Sequence, residues 1–181
     1  MRFPERMLQM LHDKMEKALN EQVNAEMFSA YLYLAMGAYL ESIGLRGGAI
    51  WMNAQAQEEM VHAMKIYNFV MDRSGRAKLL AIDAPQFEWK SMLDAFEAAY
   101  KHEVYITGRI NDLMNLAHEL KDHATAEMLN WFVKEQIEEE AQTSEIVQKL
   151  KLVENTPGGV FLIDKDLGTR IPLYTMPPTA M

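Results

Sequence analysis

The chain has 181 residues, of which 49% are hydrophobic, and carries a net charge of −8. It is long and apolar enough for one domain with a real core, which argues against disorder, and its acidity argues against nucleic acid as the main partner. With no cysteine, disulfides, thiolate zinc sites and cysteine-ligated iron–sulfur clusters are excluded.

The N-terminus, Met1-Arg2-Phe3-Pro4-Glu5, lacks the apolar stretch of a secretory signal. No apolar run reaches the roughly 18 residues of a membrane span, so the expected location is cytoplasmic. A first helix is expected just after Pro4, a residue suited to a first turn, running to about Ser42. Its inward stripe reads Met15, Leu19, Gln22, Glu26, Ser29, Tyr33, Met36 and Leu40, in steps of three and four. The segment Gly44-Leu45-Arg46-Gly47-Gly48 should break it. A second helix from about Ala49 to Arg73 follows, with Met52, Gln55, Glu59, His62, Ile66 and Phe69 facing inward and Gly75 closing it. Ser91 and Asp94 form a capping-box variant that opens a third helix, whose stripe is Phe96, Ala99, Glu103, Ile106, Ile110, Leu113 and Ala117. After a break near Lys121-Asp122, a fourth helix carries Leu129, Phe132, Gln136, Glu139, Thr143, Ile146 and Leu150, ending at Thr156-Pro157-Gly158-Gly159. A short helix over about 158–168 and an irregular Pro-rich tail, 169–181, complete the expected domain.

Short loops make each helix pair an antiparallel hairpin. The link between the second and third helices contains Pro85 and is long enough to run the length of the bundle, so those two helices should be parallel. The expected architecture is an all-α four-helix bundle with one long crossover, spanning about 5–153 within a single domain, 1–181.

Each apolar stripe is interrupted near its middle: by Glu26, by Glu59 with His62, by Glu103, and by Gln136 with Glu139. A bare carboxylate in a core costs several kcal/mol, roughly, unless it is paired or bound to a cation. One such residue is ordinarily a satisfied structural group, and a lone E-x-x-H step is ordinarily a polar face. All four stripes interrupted together ask for a shared positive charge. Glu59 and His62 lie about one turn apart, and Gln136 and Glu139 repeat that step. Such a set can surround two divalent ions, and oxygen-rich ligation with one imidazole suits Fe(II) or Mn(II) better than copper or structural zinc. Tyr33 lies two turns past Glu26 on the same stripe, placed to hydrogen-bond a ligand or supply an electron. The 15 methionines are mostly core filler, and His12, His102, His118 and His123 receive no role. Tyr31, Leu32 and Tyr39 fall off the core stripe and would leave apolar surface on a monomer, weak support for self-assembly.

The segments Asn24-Ala25-Glu26, Gln57-Glu58-Glu59-Met60-Val61-His62, Tyr100-Lys101-His102-Glu103 and Glu135-Gln136-Ile137-Glu138-Glu139-Glu140 resemble the prokaryotic non-haem ferritins, in order and from about Met7 to Leu167. The resemblance implies a homo-oligomeric cage of twenty-four subunits that oxidises Fe(II) with O2 or H2O2 and stores ferric mineral. It implies that Glu26, Glu59 and His62 hold one iron, that Glu59, Glu103, Glu139 and Gln136 hold a second, and that Glu58, Glu135 and Glu138 with Glu139 form a third, inner iron site. It also places Tyr33 beside the diiron centre. Haem-containing relatives carry a second E-x-x-H where this chain has Gln136 and Glu139. Met60 stands at their haem-ligand position, but haem is not expected. A haem-containing relative, an iron-buffering cage with little oxidase activity, and a purely structural bundle are the alternatives.

Overall fold

The computed structural model describes residues 11–174. Five helices follow one another: α1 (Asp13–Ser42), α2 (Arg46–Asp72), α3 (Met92–Glu119), α4 (His123–Val153) and α5 (Gly159–Leu167). No strand is present among the described residues. The first helix begins later than expected. Leu11 and His12 are not helical, and His12 caps α1 with its ring nitrogen accepting from the Lys14 N–H at 3.1 Å. A helix start just after Pro4 is therefore corrected, and residues 5–10 lie outside the described part.

Two apolar clusters fix the topology. One gathers Met36, Leu40, Met52, Phe96 and Leu150; the other gathers Leu19, Val23, Ile66, Ile110 and Leu129. The end of α1, the starts of α2 and α3 and the end of α4 therefore share one end of the bundle. Each hairpin is antiparallel, and α2 and α3 run parallel, as the long link requires. That link, 73–91, lies along α1. Asn20 donates to the Arg76 carbonyl at 3.0 Å and accepts from the Lys78 N–H at 2.6 Å. Further along, Trp89 packs on Tyr39 with ring centroids 5.5 Å apart. Tyr39 and Leu32 are consequently buried, which corrects their expected exposure; only Tyr31 of that trio is open. Phe69 is half-buried and Val70 takes the inward position.

The helix ends show what the chain uses as punctuation. Three helices close with a left-handed residue flanked by two backbone hydrogen bonds, at Gly44, Ser74 and Lys121. After α2 the left-handed turn falls on Ser74, while Gly75 only donates its N–H to the Val70 carbonyl at 2.9 Å. Ser91 caps α3 by accepting from Asp94 N–H at 3.1 Å, and Asp94 reaches back to the N–H of Lys90 at 2.9 Å. Asp122 caps α4 in the same way through Thr125.

Gly47 and Gly48 do not break the chain; they are the second and third residues of α2. Leu45 supplies no side-chain cap, and the Asp164 carboxylate of α5 does so instead, accepting from the Gly48 N–H at 2.8 Å. A carboxylate there also suits the positive end of the helix. The glycines let α5 come that close: a Cβ on Gly47 would sit 1.6 Å from the Asp164 carbonyl oxygen. Gly47→Ala is therefore expected to cost about 2–3 kcal/mol through overpacking, seen as a lower melting temperature and faster amide exchange in α5. An unchanged melt would contradict the seating of α5 on this position.

Candidate metal centre

Between the two apolar clusters lies a polar layer, and every stripe interruption falls in it. Glu26, Glu59, His62, Glu103, Gln136 and Glu139 are all buried, and Tyr33 is completely so. A ligand atom from each of Glu26, Glu59 and His62 lies within 4.8 Å of the others. His62 Nδ1 is 3.4 Å from Glu59 Oε2, and its ring is held edge-on by Trp131 and Phe132. Across the bundle, the Tyr33 hydroxyl donates to Glu103. Gln136 donates to the Glu103 carboxylate at 3.3 Å.

A second layer holds these groups in place. Gln55 donates to Glu59 at 3.1 Å and to Glu139 at 2.6 Å, tying α2 to α4. Gln22 donates to Glu26 at 2.8 Å, and its own carbonyl accepts from Arg109 Nε at 2.8 Å. That second bond fixes which end of the Gln22 amide faces the carboxylate. His102, which no spacing in the chain singles out, meets Ser29 at 2.7 Å and stands edge-on to Tyr33. Burial lowers its imidazole to about 4, so it stays neutral. Thr107 contacts both Gln136 and Glu140. The signal for this layer was faint: Gln22, Gln55 and Ser29 were visible only as polar members of an apolar stripe.

The buried layer is crowded with acids. Burial, then repulsion from Glu59, lifts the Glu26 carboxyl to about 8. Burial with the charge of Glu139 lifts Glu59 to about 8. Glu103 rises to about 8 by burial and Glu59, and Glu139 to about 7 by burial and Glu103. Tyr33 is held well above its usual range by burial, then by Glu103. These carboxyls press on one another around a shared space, and Glu26 Oε2 is buried with no partner. An orphaned buried oxygen beside an imidazole and further carboxylates is a donor set that fits hard or borderline divalent cations.

At the edge of that layer, Glu58, Glu135 and Glu138 line one cleft of about 420 Å³ with Glu139 and His62, so the four residues of the expected inner site face a common space. Met60 is exposed on α2.

A bundle of two antiparallel hairpins, joined by one long crossover and enclosing a carboxylate and imidazole cluster, is the ferritin-like class of protein. The ferritin family model, described as a ferritin-like domain, matches residues 16–153. Bacterial non-heme ferritin of Bacteroides fragilis is 41% identical over 161 residues, covering 89% of this chain and all of the relative. A probable bacterial non-heme ferritin-like protein of Haemophilus influenzae is 40% identical over 159 residues, covering 88% and 96%. Among solved structures, the open pore ferritin of the archaeon Archaeoglobus fulgidus is 49% identical with a TM-score of 0.88, covering 89% of this chain and 99% of that one. The chain belongs to the prokaryotic non-haem ferritins, an iron-storage family.

Proposed function

We propose that this protein is a ferroxidase as well as an iron store, taking two Fe(II) ions per chain into the buried polar layer. The observation that carries the reading is the meeting of Glu26, Glu59 and His62, one ligand atom of each within 4.8 Å of the others, with Glu26 Oε2 buried and unpartnered. Glu26, Glu59 and His62 would hold one ion; Glu59 would bridge to the second, held with Glu103, Glu139 and the weaker ligand Gln136. A spacing of about 3.5–4 Å is usual for paired metals. Each Fe(II) gives one electron to O2, which with two protons leaves as H2O2; with peroxide as oxidant the product is water. Tyr33, hydrogen-bonded to Glu103, is placed to steady that ligand. Fe(III) then leaves through the acidic cleft of Glu58, Glu135, Glu138 and Glu139, the proposed third site.

Assembly into a cytoplasmic cage of twenty-four subunits completes the reading. It is supported by exposed apolar side chains at Tyr31 and Leu34 on α1 and at Leu79 and Phe87 on the link, a surface a monomer would not keep. No helix among the described residues is long and apolar enough to cross a membrane.

The test is anaerobic loading with Fe(II) followed by air in a stopped-flow spectrometer. A rapid phase that consumes about two Fe(II) per chain, the count of a two-metal site, is the expected result. Oxidation no faster than in buffer would remove the catalytic part of the reading and leave iron buffering.

A further inference from the structure

The acidic cleft already contains a cation of the chain's own. Arg170, just past α5, lies largely buried in it, and its Nη2 donates to Glu58 Oε2 at 2.6 Å. The guanidinium carbon stands 4.3 Å from the centroid of the Trp51 ring. Its Nη1 is buried without a partner, so the charge and the aromatic face hold this group rather than a full set of hydrogen bonds. The tail is clasped independently one residue before Glu58. Gln57 Nε2 donates to the Tyr174 carbonyl and its Oε1 accepts from the Tyr174 N–H, both at 3.1 Å.

We propose that Arg170 is a resident counter-cation, and that the tail over 168–174 is a latch which a metal ion entering the cleft must displace from Glu58. The proposal rests on the reading of the buried layer as a two-ion centre. A guanidinium held on Glu58 and a divalent cation entering beside it repel one another, so the two compete for the same carboxylate charge. With Arg170 seated, the cleft binds a further ion weakly and holds the pair in the buried layer. With Arg170 displaced, four carboxylates face the cleft and it takes a further ion more tightly. Arg170 is thus a positioning residue, acting on metal only through Glu58.

Calorimetric titration of the assembled, metal-stripped protein with Fe(II) under strict anaerobiosis tests this without any turnover. In Arg170→Gln the third ion per chain should bind about tenfold more tightly, the smallest effect expected when a charge in direct contact is removed. The first two ions should bind as in wild type. Arg170→Lys, which keeps the charge, should leave the third ion weak, whereas a lost packing contact would affect both variants alike. Gln57→Ala loosens the latch with Arg170 and Glu58 intact, and should strengthen the third ion by a smaller factor; it also carries the test if Arg170→Gln does not assemble. An unchanged third ion in both Arg170→Gln and Gln57→Ala, with the tight pair present, overturns the latch alone. Loss of the tight pair from every protein, wild type included, overturns the buried centre and the latch with it.

Discussion

Glu59→Gln should abolish the rapid phase of iron oxidation while leaving the metal-free fold at least as stable as wild type at pH 8. Glu59 stands among the other carboxylates: its charge presses on Glu26 and Glu103, and Glu139 presses on it. It also lies beside His62, which makes it the natural bridge between two ions. An amide there keeps the shape and still accepts the hydrogen bond from Gln55, but it is a poor metal ligand. The fast rate should fall by at least about 100-fold, because changing groups that only touch metal ligands already costs roughly 10- to 100-fold. Stability should move the other way, since the substitution removes a buried charge with no cation to balance it. Kinetics and thermal melts on the same sample separate a ligand from a structural acid. Unaltered fast oxidation would strip Glu59 of its role.

The second large effect concerns pH. Burial pushes Glu26, Glu59 and Glu103 up to about 8 and Glu139 to about 7, against an ordinary value of 4.5. Between those limits the native state holds protons that the unfolded chain has released. Their contribution to stability is full below about 4.5 and is lost as pH rises through 7 to 8. Near pH 6 all four carboxyls hold protons that the unfolded chain has released, so stability falls steeply there as pH rises. Metal-stripped protein should therefore melt markedly lower at pH 8 than at pH 5.5. Fe(II) should erase most of that difference and release protons as it binds, which an indicator dye would register. A flat profile for the stripped protein would mean that the carboxyls are not buried together.

Much of this was legible in the chain. Every inward residue read for α1, α3 and α4 is buried, because apolar steps of three and four leave a helix little choice of face. The six polar interruptions were legible for the same reason: each sits on a stripe whose orientation its apolar neighbours dictate. What escaped depends on chain segments far apart in sequence. Gly47 and Gly48 look like a break until Asp164 comes to cap the helix they belong to. Tyr39 looks exposed until Trp89 arrives on the link. Arg170 looks like an ordinary tail residue until α5 swings it over Trp51. Ser74 and Lys121 adopt the left-handed conformation that a reader of sequence assigns to glycine, because the helix-closing hydrogen bonds outweigh a modest steric cost.

The division of the ligands between the two hairpins has a further consequence. Glu26, Glu59 and His62 come from α1 and α2; Glu103, Gln136 and Glu139 come from α3 and α4. Each hairpin is a local structure that can form early, but neither holds a complete site. Polar ties cross the seam, among them Tyr33 to Glu103, Gln55 to Glu139, Ser29 with His102 and Arg109 to Gln22. On the proposed reading the second ion would draw ligands from both hairpins, so by mass action a bound pair would favour the closed bundle over any state in which the hairpins part. The cargo would thereby act as a staple: a subunit holding iron would be the one least able to open, and an empty one the easier target for proteolysis and turnover.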